Sequence, residues 1–278
     1  MVGHDYDDTE RLLRAVFDLE VAYRDPGDRP ANEAGVSIFG LRNFVMPIGN
    51  QFLELVAPRP GAGSTAGGRY IERRGGPGGY MLLFQVRRDD FAAVRRRVDS
   101  LGIRLAAGDD IGDPSSEAIH LHPKDLPGAI VEFRWCEGEE QPDGDWWPVE
   151  KDWRKAVRTD VIDAITGAEI QTPNPDELAA RWAAVLDTEV TPDDHGRPTV
   201  AIDGAAVRFV PPTDGRPEGL GAIEVRVVDA ERALRAAAAA GCPVNGSTIT
   251  IGGLRFRLTD GAGGETIGGQ SDREGGGA

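Results

Sequence analysis

Two glutamates stand inside apolar segments that are typical of strands. Glu54 lies within residues 52–58 and Glu132 lies within residues 129–133, and each has apolar neighbours on both sides. Burying a carboxylate costs free energy unless the group is paired or functional. Two carboxylates that meet in a cleft can share a proton, one as general base and the other as general acid. Glu54 and Glu132 are therefore the candidate catalytic residues.

Two histidines precede the second of these segments. His120 and His122 are two residues apart on a predicted strand, so both occupy one face of it. If the following turn pairs His122 with Ala129, Glu132 falls on the opposite face from both histidines. A shift of one residue in the pairing would reverse this. The combination of His122 and Glu132 is therefore kept as an alternative metal site.

Larger elements must position these residues. A pattern of one amphipathic helix followed by about three short strands occurs four times in the sequence. The predicted helices end near residues 18, 101, 187 and 240, and the closing strands are 52–58, 129–133, 207–211 and 254–258. A unit of this kind cannot bury its apolar face alone and must pair with a neighbour. The repeat predicts an α+β fold of four βαβββ modules paired into two domains.

The composition is that of a globular protein and argues against several partners. The chain has 278 residues, a mean hydropathy of −0.33 and a formal net charge of −15. Such a charge opposes binding to nucleic acid, which needs a basic surface. No apolar run approaches the roughly 20 residues that cross a bilayer, and no signal-peptide pattern opens the chain. We expect a cytoplasmic protein that binds neither nucleic acid nor membranes.

Changes in composition suggest the domain boundaries. We predict an N-terminal domain at 1–136, a linker rich in Trp, Pro and acidic residues at 137–158, a C-terminal domain at 159–260 and a disordered Gly-rich tail at 261–278. The linker tryptophans are expected to pack on a domain surface. Since two units of one chain can form a cleft together, we expect a monomer or a homodimer.

The segment 122–133, with its His-Pro-Lys start and its Gly-Ala-Ile-Val-Glu-Phe end, resembles the vicinal oxygen chelate superfamily. The superfamily includes glyoxalase I, methylmalonyl-CoA epimerase, bleomycin-resistance proteins and extradiol dioxygenases. The resemblance covers 5–135 well and 160–260 more loosely, and it is closest to a glyoxalase-like domain. It implies mixed, curved sheets that form a cleft in each domain. In metal-dependent members, the first strand of a unit supplies His or Gln and the last strand supplies Glu or Gln.

Carried over residue by residue, the resemblance implies an incomplete metal site in the first domain. Glu54 and Glu132 occupy the last-strand carboxylate positions. Tyr80 or Met81 stands where the family has a histidine, and the first strand of unit one is almost absent. No metal cofactor is therefore expected; a divalent ion held by Glu54, Glu132 and His122 is the alternative.

The second domain departs further from the metal-binding pattern. Arg208 and Arg257 occupy its last-strand positions, and its first strands contain no histidine. These arginines are expected to be ion-paired or on the surface, with anion recognition as the alternative. An extradiol dioxygenase needs two histidines and one glutamate in one domain. That activity is not expected.

The sequence leaves several functions open. The first is a protein of the bleomycin-resistance type that binds a small organic molecule in the cleft of domain one without metal. The ligand-binding residues would be Asn43, Phe52, Tyr80, Met81 and Phe84. The second is a lyase, isomerase or epimerase of a small oxygenated metabolite, with the two glutamates as an acid–base pair or as metal ligands. The third is a structural or regulatory partner.

Overall fold

The computed structural model describes residues 1–25, 35–106, 116–138, 144, 146, 149 and 151–260. Unit one contains α1 (Tyr6–Phe17), β1 (Tyr23–Arg24), β2 (Leu41–Ile48) and β3 (Gln51–Pro58), and α2 (Ala66–Arg74) follows it. Unit two contains β4 (Met81–Gln85), α3 (Arg88–Ser100), β5 (Ser116–His120) and β6 (Ile130–Cys136). Unit three contains β7 (Ile162–Gln171), α4 (Pro175–Leu186), β8 (Val190–Pro192), β9 (Pro198–Ile202) and β10 (Ala205–Val210). Unit four contains β11 (Gly219–Val227), α5 (Ala230–Ala239), β12 (Val244–Asn245), β13 (Thr248–Ile251) and β14 (Leu254–Thr259). Short 3₁₀ helices span Val36–Phe39 and Lys151–Ala156.

The predicted α+β class is confirmed, and the strands form mixed sheets. Units three and four share an eight-stranded sheet in the order β12-β13-β14-β11-β7-β10-β9-β8. Its central strands, β7 and β11, are antiparallel to each other, and each runs parallel to the last strand of its own unit. The N-terminal half forms two three-stranded sheets, β1-β2-β3 and β4-β6-β5. Val2 links the first of these sheets to the segment that leads into β4, because it pairs with Val56 of β3 and with Gly78.

Local sequence explains where the predicted helices end. Asp18 and Asp187 follow α1 and α4 in the left-handed conformation, with φ of 59° and 58°. Aspartate tolerates this region better than most residues because its short side chain can hydrogen-bond locally. The segment after each helix therefore turns back towards the sheet.

Helix α2 was not predicted from the sequence. Thr65 caps it by accepting a hydrogen bond from the Gly68 N–H at 3.0 Å, and Gly75 ends it with φ of 75°. The two caps satisfy backbone groups that the ends of a short helix would otherwise leave unpaired. The caps therefore stabilise α2 as a helix, although its sequence contains three arginines and few large apolar residues.

Each of the two largest apolar cores contains residues from both halves of the chain. One buried cluster joins α1, β2 and β3 of unit one to α5, β13 and β14 of unit four. A second joins α3, β5 and β6 of unit two to α4, β7, β9 and β10 of unit three. Trp182 of α4 is fully buried in the second cluster, and its indole N–H donates to the Pro127 carbonyl at 3.0 Å. The halves of the chain thus share their cores across the predicted linker.

Backbone also approaches closely between the halves. A Cβ at Gly79 would lie 2.4 Å from the Leu220 carbonyl oxygen, and one at Gly128 would lie 2.6 Å from the Ile170 side chain. A larger residue at either position would have to displace this neighbour in the other half of the chain. None of the described helices combines the length and the apolar character needed to span a membrane. The predicted tail, 261–278, lies outside the described residues.

Candidate functional site

Strand alternation places both candidate glutamates on the same side of the N-terminal sheets. Leu53 and Leu55 of β3 enter one apolar core, and Val131 and Phe133 of β6 enter the other. The residues between them therefore point away from α1 and α3. We call this side the carboxylate face; its polar members are Asn43, Glu54, His120, Glu132 and Arg134.

Glu132 is a buried carboxylate that is fixed by two neighbours. It is 4% exposed, and its Oε2 lies 2.7 Å from His120 Nε2, while Arg134 Nε donates to its Oε1 at 2.7 Å. Burial alone would raise the pKa of Glu132, but the hydrogen bond with His120 and the charge of Arg134 outweigh it and lower the pKa to about 2. Glu132 is therefore an anion at neutral pH.

The partner of Glu132 is His120, and the expected pairing of β5 with β6 was wrong by one residue. His120 stands directly opposite Glu132, and the Leu121 N–H donates to the Val131 carbonyl at 2.8 Å. His122 begins the turn instead, and its carbonyl accepts from the N–H groups of Asp125 and Leu126. The turn is thus longer than assumed. The alternative combination of His122 with Glu132 is replaced by His120 with Glu132.

Glu54 has a different environment. The residue is half-buried, and the Asn43 amide donates to its Oε1. Burial raises the pKa of Glu54; the hydrogen bond from Asn43 and the Met1 amino group oppose the rise only in part, and the charge of Glu132 adds to it. The two carboxylates are close enough to affect each other. Their environments push their pKa values in opposite directions.

The predicted ligand-binding residues separate into different surroundings. Asn43 is 1% exposed, and its Oδ1 accepts from the Asp25 N–H at 2.9 Å, so it orients Glu54 rather than facing a cavity. Phe52 stacks on Trp146 at 4.9 Å between ring centroids and meets Trp153 edge-on at 4.9 Å. The two described linker tryptophans therefore cover this end of the carboxylate face.

The other three predicted ligand-binding residues lie in β4 or next to it. Tyr80 packs edge-on against Tyr70 of α2 at 4.8 Å, and Met81 is half-buried beside them. The ring centroids of Phe84 and Phe133 lie 5.6 Å apart in the core that contains α3, on the side of the sheet away from Glu132. Tyr80 also lines a cavity.

That cavity has a volume of about 300 Å³ and lies at the end of the carboxylate face opposite the tryptophans. Its lining residues come from α2, from the start of β6 and from the segments around 105 and 122; they are Ala66, Arg69, Tyr70, Arg73, Tyr80, Leu105, Ala106, His122, Pro123 and Ile130. Sequence reasoning missed the four from α2. They have the spacing i, i+3, i+4 and i+7, which places them on one helix face and could have indicated it.

The residues of this site do not fit the metal centre that the resemblance implies. The first-strand residue opposite Glu132 is Leu83, not Tyr80 or Met81, and its side chain offers no ligand. Arg134 and His120 already occupy the oxygens of Glu132, and a guanidinium beside a carboxylate disfavours a second cation there. Across the described ranges, no group of three or more His, Cys, Asp or Glu side chains is arranged to hold a metal ion.

In the C-terminal half the corresponding positions form ion pairs. Glu169 and Glu224 stand opposite Arg208 and Arg257 on the first and last strands, and the pairs cross between units. Arg208 binds Glu224, while Glu169 binds both Arg257 and, at 2.9 Å, Arg255. The expectation of ion-paired arginines is confirmed. These positions leave no free carboxylate for a metal.

A sequence model of the glyoxalase-like domain family matches residues 13–186 of the chain. The chain belongs to the glyoxalase-like domain family. The match runs from α1 through α4 and so crosses the predicted linker, as the shared cores do. No curated protein matches the sequence significantly.

Solved structures of the vicinal oxygen chelate superfamily share the fold of this glyoxalase-like chain. The Mn(II)-bound glyoxalase from Novosphingobium aromaticivorans is similar with a TM-score of 0.59 at 13% identity, over 92% of this chain and 78% of that one. A 4-hydroxymandelate synthase variant from Streptomyces coelicolor is similar with a TM-score of 0.58 at 15% identity, over 86% of this chain and 73% of that one. The 2,2',3-trihydroxybiphenyl 1,2-dioxygenase from Sphingomonas wittichii strain RW1 is similar with a TM-score of 0.53 at 11% identity, over 98% of this chain and 91% of that one. The predicted superfamily is confirmed, and at these identities the likeness concerns the fold.

Proposed function

We propose that the protein binds a small organic molecule at the carboxylate face, in the cavity beside α2, without a resident metal ion. The cavity itself carries this proposal. Its volume of about 300 Å³ suits a small metabolite, and the buried rings of Tyr70 and Tyr80 supply an apolar wall. A few polar groups at its edge can then orient the ligand.

The state of Glu132 supports binding without metal. A carboxylate whose oxygens already accept from Arg134 and contact His120 would have to lose these partners before it could bind a cation. Leu83 in the first-strand position cannot complete such a site. Direct contacts with the cavity wall are therefore the source of affinity in this proposal.

A pocket-filling substitution tests the proposal. Ala66 is exposed and lines the cavity, so Ala66→Trp should fill the space without disturbing the core. Ala92 is an exposed alanine on α3 that does not line the cavity, and Ala92→Trp is the matched control. A fragment library screened by ligand-observed NMR should yield hits on the unmodified protein and on Ala92→Trp. Ala66→Trp should lose them; hits that persist in Ala66→Trp would reject the cavity as the site.

The opposed pKa shifts of the two glutamates favour a second candidate function, which is proton transfer in a lyase, isomerase or epimerase. Glu132 stays ionised, while the raised pKa of Glu54 brings it closer to the working range of a general base. Glu54 would take a proton from carbon and return it, and Glu132 would keep the local charge fixed. Asn43 holds the carboxyl group in place for this step.

Hydrogen exchange in D₂O tests the second candidate. Hits that carry an acidic C–H should exchange that hydrogen in the presence of the protein, and Glu54→Gln should abolish the exchange while leaving binding intact. Equal exchange rates with Glu54→Gln would exclude Glu54 as the base. Binding without any exchange leaves the first candidate standing alone.

A further inference from the structure

We infer that the ligand of the cavity beside α2 carries an anionic group, a carboxylate or a phosphate, next to an apolar or aromatic body. This inference rests on the proposed function, because it names the ligand class of the same cavity. The chain as a whole is strongly acidic, with a net charge of −15. Among the described residues that line the cavity, two are arginines and one is a histidine, and none is Asp or Glu.

Among the described residues, no carboxylate is paired with either arginine. Arg69 donates from Nη1 only to the backbone and hydroxyl oxygens of Ser64, both at 3.3 Å, and Arg73 lies with its guanidinium carbon 5.7 Å from the Tyr70 ring centroid. Within the described ranges, neither forms an ion pair. By contrast, Arg104, close to the same cavity, is paired with Asp125 at 2.7 Å.

The spacing of the arginines makes a bound anion favourable. Arg69 and Arg73 are four residues apart on α2, so their side chains are neighbours on one helix face, and like charges at this spacing repel each other. An anion placed between them removes the repulsion and accepts hydrogen bonds from both guanidinium groups. Arginine suits carboxylate and phosphate especially well because its planar donors match their oxygens.

His122 adds a donor on the wall opposite α2. Its Nδ1 accepts from the Lys124 N–H at 3.2 Å, so in the neutral imidazole the proton is on Nε2. The Nε2–H can then donate to a ligand oxygen. The assigned tautomer thus adds a third donor to the two guanidinium groups.

The other lining residues define the body of the ligand. Tyr70 and Tyr80 are both at least nine-tenths buried and meet edge-on, and Ile130 and Leu105 extend this apolar surface. Arg69 and Arg73 are exposed whereas the two tyrosines are buried, so the arginines lie at the outer end of the cavity and the rings at its inner end. An anionic ligand therefore binds with its charge outward and its apolar body inward.

Matched probes test the inference. Phenyl phosphate and benzoate are the anionic probes, and benzyl alcohol is the neutral one. Arg69→Gln/Arg73→Gln removes the two cations, and Arg232→Gln/Arg235→Gln, on exposed positions of α5, removes the same charge elsewhere. Affinities from ligand-observed NMR titration should fall by about tenfold or more for an anionic probe in the first variant and by less than about twofold for benzyl alcohol. The α5 variant should match the unmodified protein.

Several results would overturn the inference and separate it from the proposed function. No detectable binding of either anionic probe at millimolar concentration would overturn it, as would equal losses in the two arginine variants. If benzyl alcohol binds and Ala66→Trp removes it while the anions show no preference, only the inference fails. If Ala66→Trp leaves every probe bound, the cavity is not the site and the proposed function fails with it.

Discussion

At the scale of single residues, the behaviour of the two glutamates follows from their neighbours and not from their position alone. Glu54 and Glu132 occupy corresponding strands of two units, yet one meets an amide and the other meets a guanidinium and an imidazole. A guanidinium stabilises the ionised form much more than an amide does. One carboxylate is therefore fixed as an anion and the other keeps the capacity to hold a proton.

Substitution of His120 should raise the pKa of Glu132. In His120→Gln the charge-assisted contact to Oε2 is lost, and we expect a rise of roughly one unit. NMR titration of the glutamate side-chain carbons would measure it. His122→Gln is the matched control and should leave the titration of Glu132 unchanged. An equal effect of both substitutions would contradict the pairing of β5 with β6 described here.

The lowered pKa of Glu132 also predicts a pH dependence of stability. The pKa of about 2 in the folded protein lies below the ordinary value of 4.5, so the stabilisation is present above pH 4.5 and is lost as the pH falls towards 2. The free energy of unfolding should be higher for the unmodified protein than for Glu132→Gln near neutral pH. That difference should shrink by about 2 kcal/mol between pH 5 and pH 3. Urea unfolding at several pH values measures it, and a constant difference would contradict the assigned shift.

At the scale of elements, ion pairs occupy the strand positions of the eight-stranded sheet at which the family resemblance implies metal ligands. Glu169 and Glu224 on the first strands meet Arg208 and Arg257 on the last strands, with Arg255 as an additional partner of Glu169. Each of these buried charges is paired with an opposite charge, which offsets the cost of removing the ions from water. These strands are held by ion pairs at the positions where the other half places Glu132 and Leu83.

Removing the carboxylate of Glu169 should therefore be costly. Glu169 is 1% exposed and serves two arginines, so Glu169→Gln leaves two cations without their partner. We expect a loss of about 3 kcal/mol or more in the free energy of unfolding. Glu231→Gln breaks an exposed pair with Arg235 on α5 and should change stability by less than about 0.5 kcal/mol. Similar values for the two variants in chemical unfolding would contradict a structural role for the buried network.

The sequence predicted some elements well because their signals are local. A charge inside an apolar strand identified Glu54 and Glu132, and the periodicity of apolar residues predicted the helices α1, α3, α4 and α5. The pairing of His120 with Glu132 depended on the geometry of the turn after His122, which composition does not determine. Helix α2 has few large apolar residues, so its periodicity is weak. The cavity beside it exists only through tertiary contacts, and no local pattern could define its volume.

At the scale of the whole molecule, the two halves are joined by their cores. Unit one shares a core with unit four, and unit two shares one with unit three. The close approaches at Gly79 and Gly128 leave no room for a separating layer of side chains. Each half of the chain therefore contributes to both cores.

The shared cores predict one cooperative unfolding transition. Calorimetry should show a single peak whose van't Hoff and calorimetric enthalpies agree. Trp182→Ala, at a fully buried position of α4, should lower the free energy of unfolding by about 3–5 kcal/mol and move the whole transition. Two separate peaks, with only one of them shifted by this substitution, would show that the halves fold independently.

If this glyoxalase-like chain binds its ligand without a metal ion, as we propose, removal of metal should leave its affinity unchanged. The most direct measurement is the dissociation constant of the best fragment hit, determined by calorimetric titration on chelator-treated protein and again after addition of Mn²⁺. We expect one saturable site whose dissociation constant is the same in both conditions. Binding that disappears on chelation and returns with Mn²⁺ would contradict it.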